Sequence, residues 1–248
     1  MHSFFGMIEG AILEAQDKLR RALAAQQHNT PEAASSGRLV LIEGLDLAGK
    51  STLVANLQRE LMHRGIPARV SRNALCPDNP IAALADQVRR DPHAGLVETG
   101  ALFLAAHLWD ARNFTPPPAG AVHLQDSCWL RTLAYHSWKD TPTIPEQLAQ
   151  AARYFPRFDA AVFLTAGIEE RRHRLAQRER EQPGNNDAND HLVQLDPQGY
   201  LRLEQMLWQL THLNTMATRI ETTGIPGERL VPLVVEMLVQ ARSARETL

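Results

Sequence analysis

The stretch IEGLDLAGKST, residues 42–52, decides how this chain is read. Gly44, four intervening residues and then Gly49-Lys50-Ser51 give the spacing G-x-x-x-x-G-K-S. Glycines let a backbone approach phosphate closely, because no Cβ stands in the way. Successive N–H groups and the positive end of a following helix then face the anion. In this pattern Lys50 reaches the β- and γ-phosphates and Ser51 ligates Mg²⁺. Gly44, Leu45, Asp46, Leu47, Ala48, Gly49, Lys50, Ser51 and Thr52 are therefore the candidate nucleotide cradle. With Gly near 7% of residues, a random chain of this size meets the pattern about once per hundred proteins. Context sharpens it: an apolar run precedes the loop and a helical pattern follows.

Working outward, RLVLIEG (38–44) is a short apolar run ending in Gly, suited to a buried parallel strand. Lys50 to Arg64 reads as a helix with Leu53, Leu57 and Leu61 on one face. Further strands are expected at 67–72, 121–126, 160–166 and 218–223. Helices are expected at 80–90, 97–112, 127–138, 145–154, 168–181, 197–216 and 228–243. Five strands separated by helices imply a parallel sheet covered on both faces, an α/β nucleoside-triphosphate-binding architecture.

Ahead of it, residues 3–28 carry Phe4, Ile8, Ile12, Ala15, Leu19 and Leu23 at helical spacing. TPEAASSG (30–37) follows as a linker. The chain divides into an N-terminal helix and linker (1–37) and a nucleotide-binding domain (38–248). The N-terminal helix packs on its own domain or forms a homodimer or partner surface.

Composition excludes several classes. The formal net charge of −2 gives no bulk electrostatic case for nucleic acid or acidic membranes. No run approaches 18 uninterrupted apolar residues, and the N-terminus lacks the features of a signal peptide. Two cysteines, Cys76 and Cys128, rule out a disulfide framework and fit a reducing cytoplasm.

Two more features bear on chemistry. Asp126 ends an apolar strand, where a carboxylate that supports the metal or the acceptor is expected. The segment 168–181 is rich in arginine, and Arg171, Arg174 and Arg178 share one helical face at i, i+3 and i+7. Such cations can spread the charge of a transferring phosphoryl group, or form a solvated face paired with Glu169 and Glu170.

The loop, read with the preceding Leu-Ile-Glu, resembles that of thymidylate kinases, E-G-x-D-G-A-G-K-[ST]-T. Asp126-Ser127-Cys128 followed by Ala134-Tyr135-His136 is similar to that family's D-R-Y/H…A-Y-Q segment. Arg72 stands at the end of the second strand, where the family has T-R-E-P, and the arginine-rich helix stands where the family carries its lid, which the resemblance implies near 168–196. The resemblance spans roughly 38–243. It implies a P-loop kinase fold and Mg²⁺- and ATP-dependent phosphorylation of a small-molecule acceptor, a nucleotide.

By the same resemblance Asp46 contacts the acceptor sugar and Arg72 the acceptor phosphate, and the lid arginines close over the γ-phosphoryl. Leu47 occupies the position where some members carry a loop arginine, so the catalytic cations come from the lid. The acceptor side departs from the family. Ser127 replaces the Arg of D-R, Asn73 replaces the Glu of R-E-P, and Ala105-Ala106-His107-Leu108 stands for A-A-D-R. These changes predict poor use of dTMP. Arg131, one helical turn past Ser127, is the best-placed replacement cation, ahead of Arg72 and Arg112. Two alternatives remain open at this stage: an ATP-binding module that works through a protein partner, and a nucleoside kinase with a hydroxyl acceptor.

Overall fold

The computed structural model describes residues 37–243 apart from 92, 140–142 and 184–189, together with 17 and 20. Asp17 and Arg20 are helical and paired at 3.2 Å; the rest of the helix expected over 3–28 lies outside the described residues.

The sheet is parallel throughout, in the order β2-β3-β1-β4-β5. Its strands are β1 (Arg38–Glu43), β2 (Ala68–Arg72), β3 (Val122–Asp126), β4 (Ala160–Thr165) and β5 (Ala217–Glu221). The helices between them are α1 (Lys50–His63), α2 (Pro80–Arg89), α3 (Leu96–Asn113), α4 (Trp129–Trp138), α5 (Thr143–Ala151), α6 (Ile168–Glu181), α7 (Leu192–Leu195), α8 (Pro197–Asn214) and α9 (Gly227–Ser243). The expected five-stranded parallel sheet is present. Boundaries shift by one to three residues, and the short α7 has no counterpart in the sequence reading. β5 ends at Glu221, and the N–H of Thr222 makes the last bond of its ladder with β4, to Thr165 O at 2.8 Å.

Alternation along the strands builds two cores. Leu39 and Leu41 of β1 and Ala161 and Phe163 of β4 face α4, α5 and α8. Val40, Ile42, Val162 and Leu164 face α1 and α9, where Leu53, Leu57 and Leu61 meet Val234, Val235 and Leu238. Burying each such side chain contributes roughly 1.5–3 kcal/mol. Both faces are thus covered, as near-continuous apolar strands require. Among the described residues no helix is long and apolar enough to cross a membrane.

This topology positions the site. β1 lies between β3 and β4, with Ile42 opposite Asp126 and Glu43 opposite Phe163. The carboxyl ends of the three central strands therefore deliver the loop 44–49, residues 127–128 and residues 166–167 to one edge. Ligands of open α/β sheets bind at such an edge.

Candidate active site at the carboxyl edge of the sheet

The loop 44–49 is built to present N–H groups. A Cβ on Gly44 would stand 2.2 Å from Leu164 O, so only glycine fits there. Gly49 has φ 93 and Leu47 φ 66. The second value is unusual for a side chain of this size.

The carbonyls of this loop are held one by one from outside. Arg131 Nη2 donates to Gly44 O, Lys50 Nζ to Leu45 O at 3.0 Å, and Arg174 Nη1 to Leu47 O at 2.9 Å. Asp46 O accepts from both Tyr200 Oη (2.6 Å) and Arg171 Nη1 (3.1 Å), and Ala48 O from Thr222 Oγ1 at 3.1 Å. Five consecutive acceptors are satisfied, four of them by cationic side chains. Among the described residues nothing accepts from the N–H groups of Leu45, Asp46, Leu47 or Gly49. Unpaired N–H donors beside a helix N-terminus make an anion receptor.

Lys50 is buried, and burial first and Arg131 second lower its pKa, against the opposing pull of Asp46, Asp126 and Glu43, from 10.5 to about 8. A cation kept at this cost has an anion to meet. Ser51 Oγ donates to Asp126 Oδ2 at 3.1 Å, so the two expected Mg²⁺ ligands are side by side. Groups of three or more His, Cys, Asp or Glu able to hold a metal do not occur among the described residues. Two protein oxygen ligands are few for an all-protein cage and suit a cation that keeps most of its ligands as water and phosphate.

The three arginines of α6 separate in role. Arg171 is 0% exposed. Its guanidinium is spent on Ala166 O, Asp46 O, Tyr200 Oη, Thr165 Oγ1 and the Glu204 carboxylate. The expectation that it closes over the γ-phosphoryl is therefore corrected: one turn into the helix, its guanidinium is committed to Asp46 O of the loop and to side chains of β4 and α8. Arg174 lies along the loop's flank, tied to Leu47 O, Glu170 and Thr222, and a Cβ on Gly49 would approach it to 3.7 Å. Arg178 is 37% exposed, pairs with Asp190 at 3.1 Å and acts electrostatically on Asp46.

The acceptor side is closed on itself. Asp46 is paired with Arg131 at 3.0 Å, lies 3.9 Å from Lys50 Nζ and accepts from Tyr135 Oη at 3.3 Å. Burial would raise its pKa, but Arg131 and Lys50 overcome this and hold it well below the usual carboxylate range. Glu43, 0% exposed, accepts from Gly44 N, Ser127 Oγ, Arg131 Nη2 and Cys128 N. Arg131, expected to replace the missing arginine at 127, thus has both terminal nitrogens committed, and its buried Nε is unpartnered. Ser127, at φ 65, points its hydroxyl back to Glu43 and Asp126.

Arg72 stands at the rim, 71% exposed and 4.0 Å from Asp126 Oδ2. His107 is buried and desolvated, with a pKa near 3, and bonds Thr132; Leu108 is exposed, so neither brings a cation inward. Asp110 escaped the sequence reading. It is 1% exposed and accepts from Leu75 N (2.6 Å), Cys76 N (3.1 Å) and Asn79 Nδ2 (2.9 Å). A polar residue on the apolar face of 97–112 was the available signal. Tyr200 and Glu204 escaped as well, since nothing near them in sequence marks them.

No protein-family model matches the chain, and no curated protein matches it in sequence. Among solved structures it is similar to the thymidylate kinase of Candida albicans, at 19% identity and a TM-score of 0.60, over 85% of this chain and 94% of that one. The likeness establishes the fold, which is that of thymidylate kinases.

Proposed function

We propose that this protein transfers the γ-phosphoryl group of ATP to a small phosphorylated acceptor of the nucleotide class, for which dTMP is a poor example. The observation that carries the reading is the convergence of three features. They are an N–H cradle with its carbonyls held from outside, the buried Lys50 beneath it, and the Ser51–Asp126 pair at 3.1 Å.

In this reading the cradle and Lys50 orient the triphosphate. Ser51 and Asp126 would hold Mg²⁺, which would supply charge neutralisation at the phosphates. Arg178 supplies the cation for the transferring group, with Arg174 holding the loop's flank. An acceptor phosphate oxygen forms the new bond to the γ-phosphorus as the β,γ-bridging P–O bond breaks, and ADP leaves with the electron pair. A phosphate acceptor is mostly dianionic at pH 7 and needs no base, since its second pKa is about 6.

That point favours phosphate over hydroxyl acceptors. Asp46 is held strongly ionised, Glu43 is saturated with four donors, and Asp126 is engaged with Ser51. Arg72, at the rim, docks the acceptor anion. The Candida albicans enzyme has broad substrate specificity; the rewritten acceptor side here suits a different preference on the same frame.

One observation favours a second reading, an ATP-binding module without transfer: Arg131 is locked onto Asp46 and Glu43 and clamps no acceptor. ADP release with a panel of nucleoside monophosphates and nucleosides separates the two. Acceptor-dependent release supports the kinase. Tight ATP binding with no turnover on any acceptor overturns it in favour of the module.

A further inference from the structure

The largest fully buried side chain among the described residues belongs to Arg171, and its surroundings form a unit. Its guanidinium lies 4.9 Å above the Tyr200 ring and donates to the tyrosine oxygen. Tyr200 Oη then donates to Asp46 O at 2.6 Å, and Arg171 Nη1 reaches the same carbonyl at 3.1 Å. Glu204, one turn further along α8, neutralises Arg171 and accepts from Thr165 Oγ1 at 2.6 Å. Arg219 of β5 reaches the same carboxylate at 3.4 Å. Two elements thus hold one backbone carbonyl of the phosphate loop, and two more meet the carboxylate behind them.

Stability alone does not account for this. A buried ion pair gains little over well-packed apolar side chains, because desolvation offsets the attraction. What such a pair supplies is a fixed geometry. Here the fixed point is Asp46, whose carboxylate faces Arg131 and Tyr135 on the acceptor side while its neighbours hold the donor phosphates. Leu47, the next residue, sits at φ 66. A bulky residue in that region costs of order 1 kcal/mol and persists only where its surroundings over-determine it.

We infer that Arg171, Tyr200 and Glu204 are positioning residues: a buried brace that fixes the peptide 46–47 between the donor and acceptor sites and so sets the efficiency of transfer. The inference rests on the proposed kinase reading, and it also makes a claim about the loop that holds without turnover.

Two variants test it. Tyr200→Phe keeps the ring and removes the hydroxyl that holds Asp46 O. Arg171→Met/Glu204→Leu replaces the ion pair by apolar side chains of similar bulk and keeps the core filled. Each is measured for kcat and KM with the accepted monophosphate, for melting temperature, and for hydrogen exchange at amides 45–49 with ATP bound, when the phosphates supply acceptors for these N–H groups. The expected result for Tyr200→Phe is a kcat about 10- to 100-fold lower with KM for ATP within about threefold. Amides 45–47 should exchange at least tenfold faster, with β1 unchanged and a melting temperature within a few degrees. The double variant should retain or exceed the wild-type melting temperature while losing kcat to a similar degree.

Unchanged exchange at 45–47 in both variants overturns the brace, as does a loss of kcat that merely follows a loss of melting temperature. If the wild-type chain transfers phosphate to nothing in the panel, the kinase reading fails on its own, and loop exchange alone decides the brace.

Discussion

Two loops meet at the carboxyl edge of the sheet, and they are fastened in opposite ways. The loop after β1 is held by its carbonyls, each gripped by a side chain from outside the loop, and its N–H groups at 45, 46, 47 and 49 have no acceptor among the described residues. The loop after β2 is held by its donors: the carboxylate of Asp110 takes the N–H groups of Leu75 and Cys76 and the amide of Asn79. The first has the open donors that an anion receptor needs. The second has spent on an internal carboxylate the donors that would make it one. An acceptor must therefore be recognised by side chains on this side, and Arg131 is already paired there.

Several experiments would break or sharpen that contrast, beginning with the largest effect. Lys50→Ala should lower phosphoryl transfer by at least about 10³-fold, since the lysine charge serves the phosphates. The fold should survive, as circular dichroism would show, because the change removes a desolvated cation and no packed apolar group. Near-normal kcat in this variant would erase the donor side of the comparison.

On the acceptor side, dTMP should have a kcat/KM about three orders of magnitude below that of the preferred monophosphate. The reason is the absence of cations at Ser127 and Leu108. Each lost charge-assisted contact costs about 1.5–3 kcal/mol, or roughly 10- to 150-fold. Ordinary efficiency with dTMP would mean that Arg72 or Arg131 rebuilds the clamp. Arg178→Ala should lower kcat about 10²-fold with a smaller effect on ATP affinity, whereas Arg174→Ala should disturb both, since Arg174 holds Leu47 O.

Asp110→Ala frees the second loop. It should raise the acceptor KM about tenfold, leave ATP affinity within twofold and cost about 1–3 kcal/mol of stability from unmade bonds. An unchanged acceptor KM would remove Asp110 from the comparison. The smallest effect is on pH. Lys50 in the free protein titrates near 8, so at pH 8.5 only about a quarter of it is charged, and Mg·ATP affinity should fall about fourfold from pH 7. The sign for folding is the reverse. The folded value lies below the ordinary 10.5, so the free protein binds fewer protons than the unfolded chain and gains stability from pH 8 to 10.5. Calorimetric titration across this range checks the first, and thermal melts the second.

Sequence alone determined what depends on neighbours in the chain. Short apolar runs marked the strands, and leucines at i, i+4 and i+8 marked α1. The eight residues from Gly44 to Ser51 carry their own reason, because glycine backbone freedom and a helix N-terminus are local properties. Asp126 was legible as the polar end of an apolar strand. Tertiary structure decided whatever depends on depth and on partners far away along the chain. Arg171, Arg174 and Arg178 share one helical stripe, and a stripe gives direction but not depth. The first of the three is buried against Glu204 and Tyr200, while the third is 37% exposed and pairs with Asp190. Arg131 likewise met carboxylates 85 and 88 residues away before it could meet a ligand, and Asp110 fastens a loop 34 and 35 residues upstream. Charge pairing at that range is settled by which elements the sheet order brings together, and no local pattern encodes it.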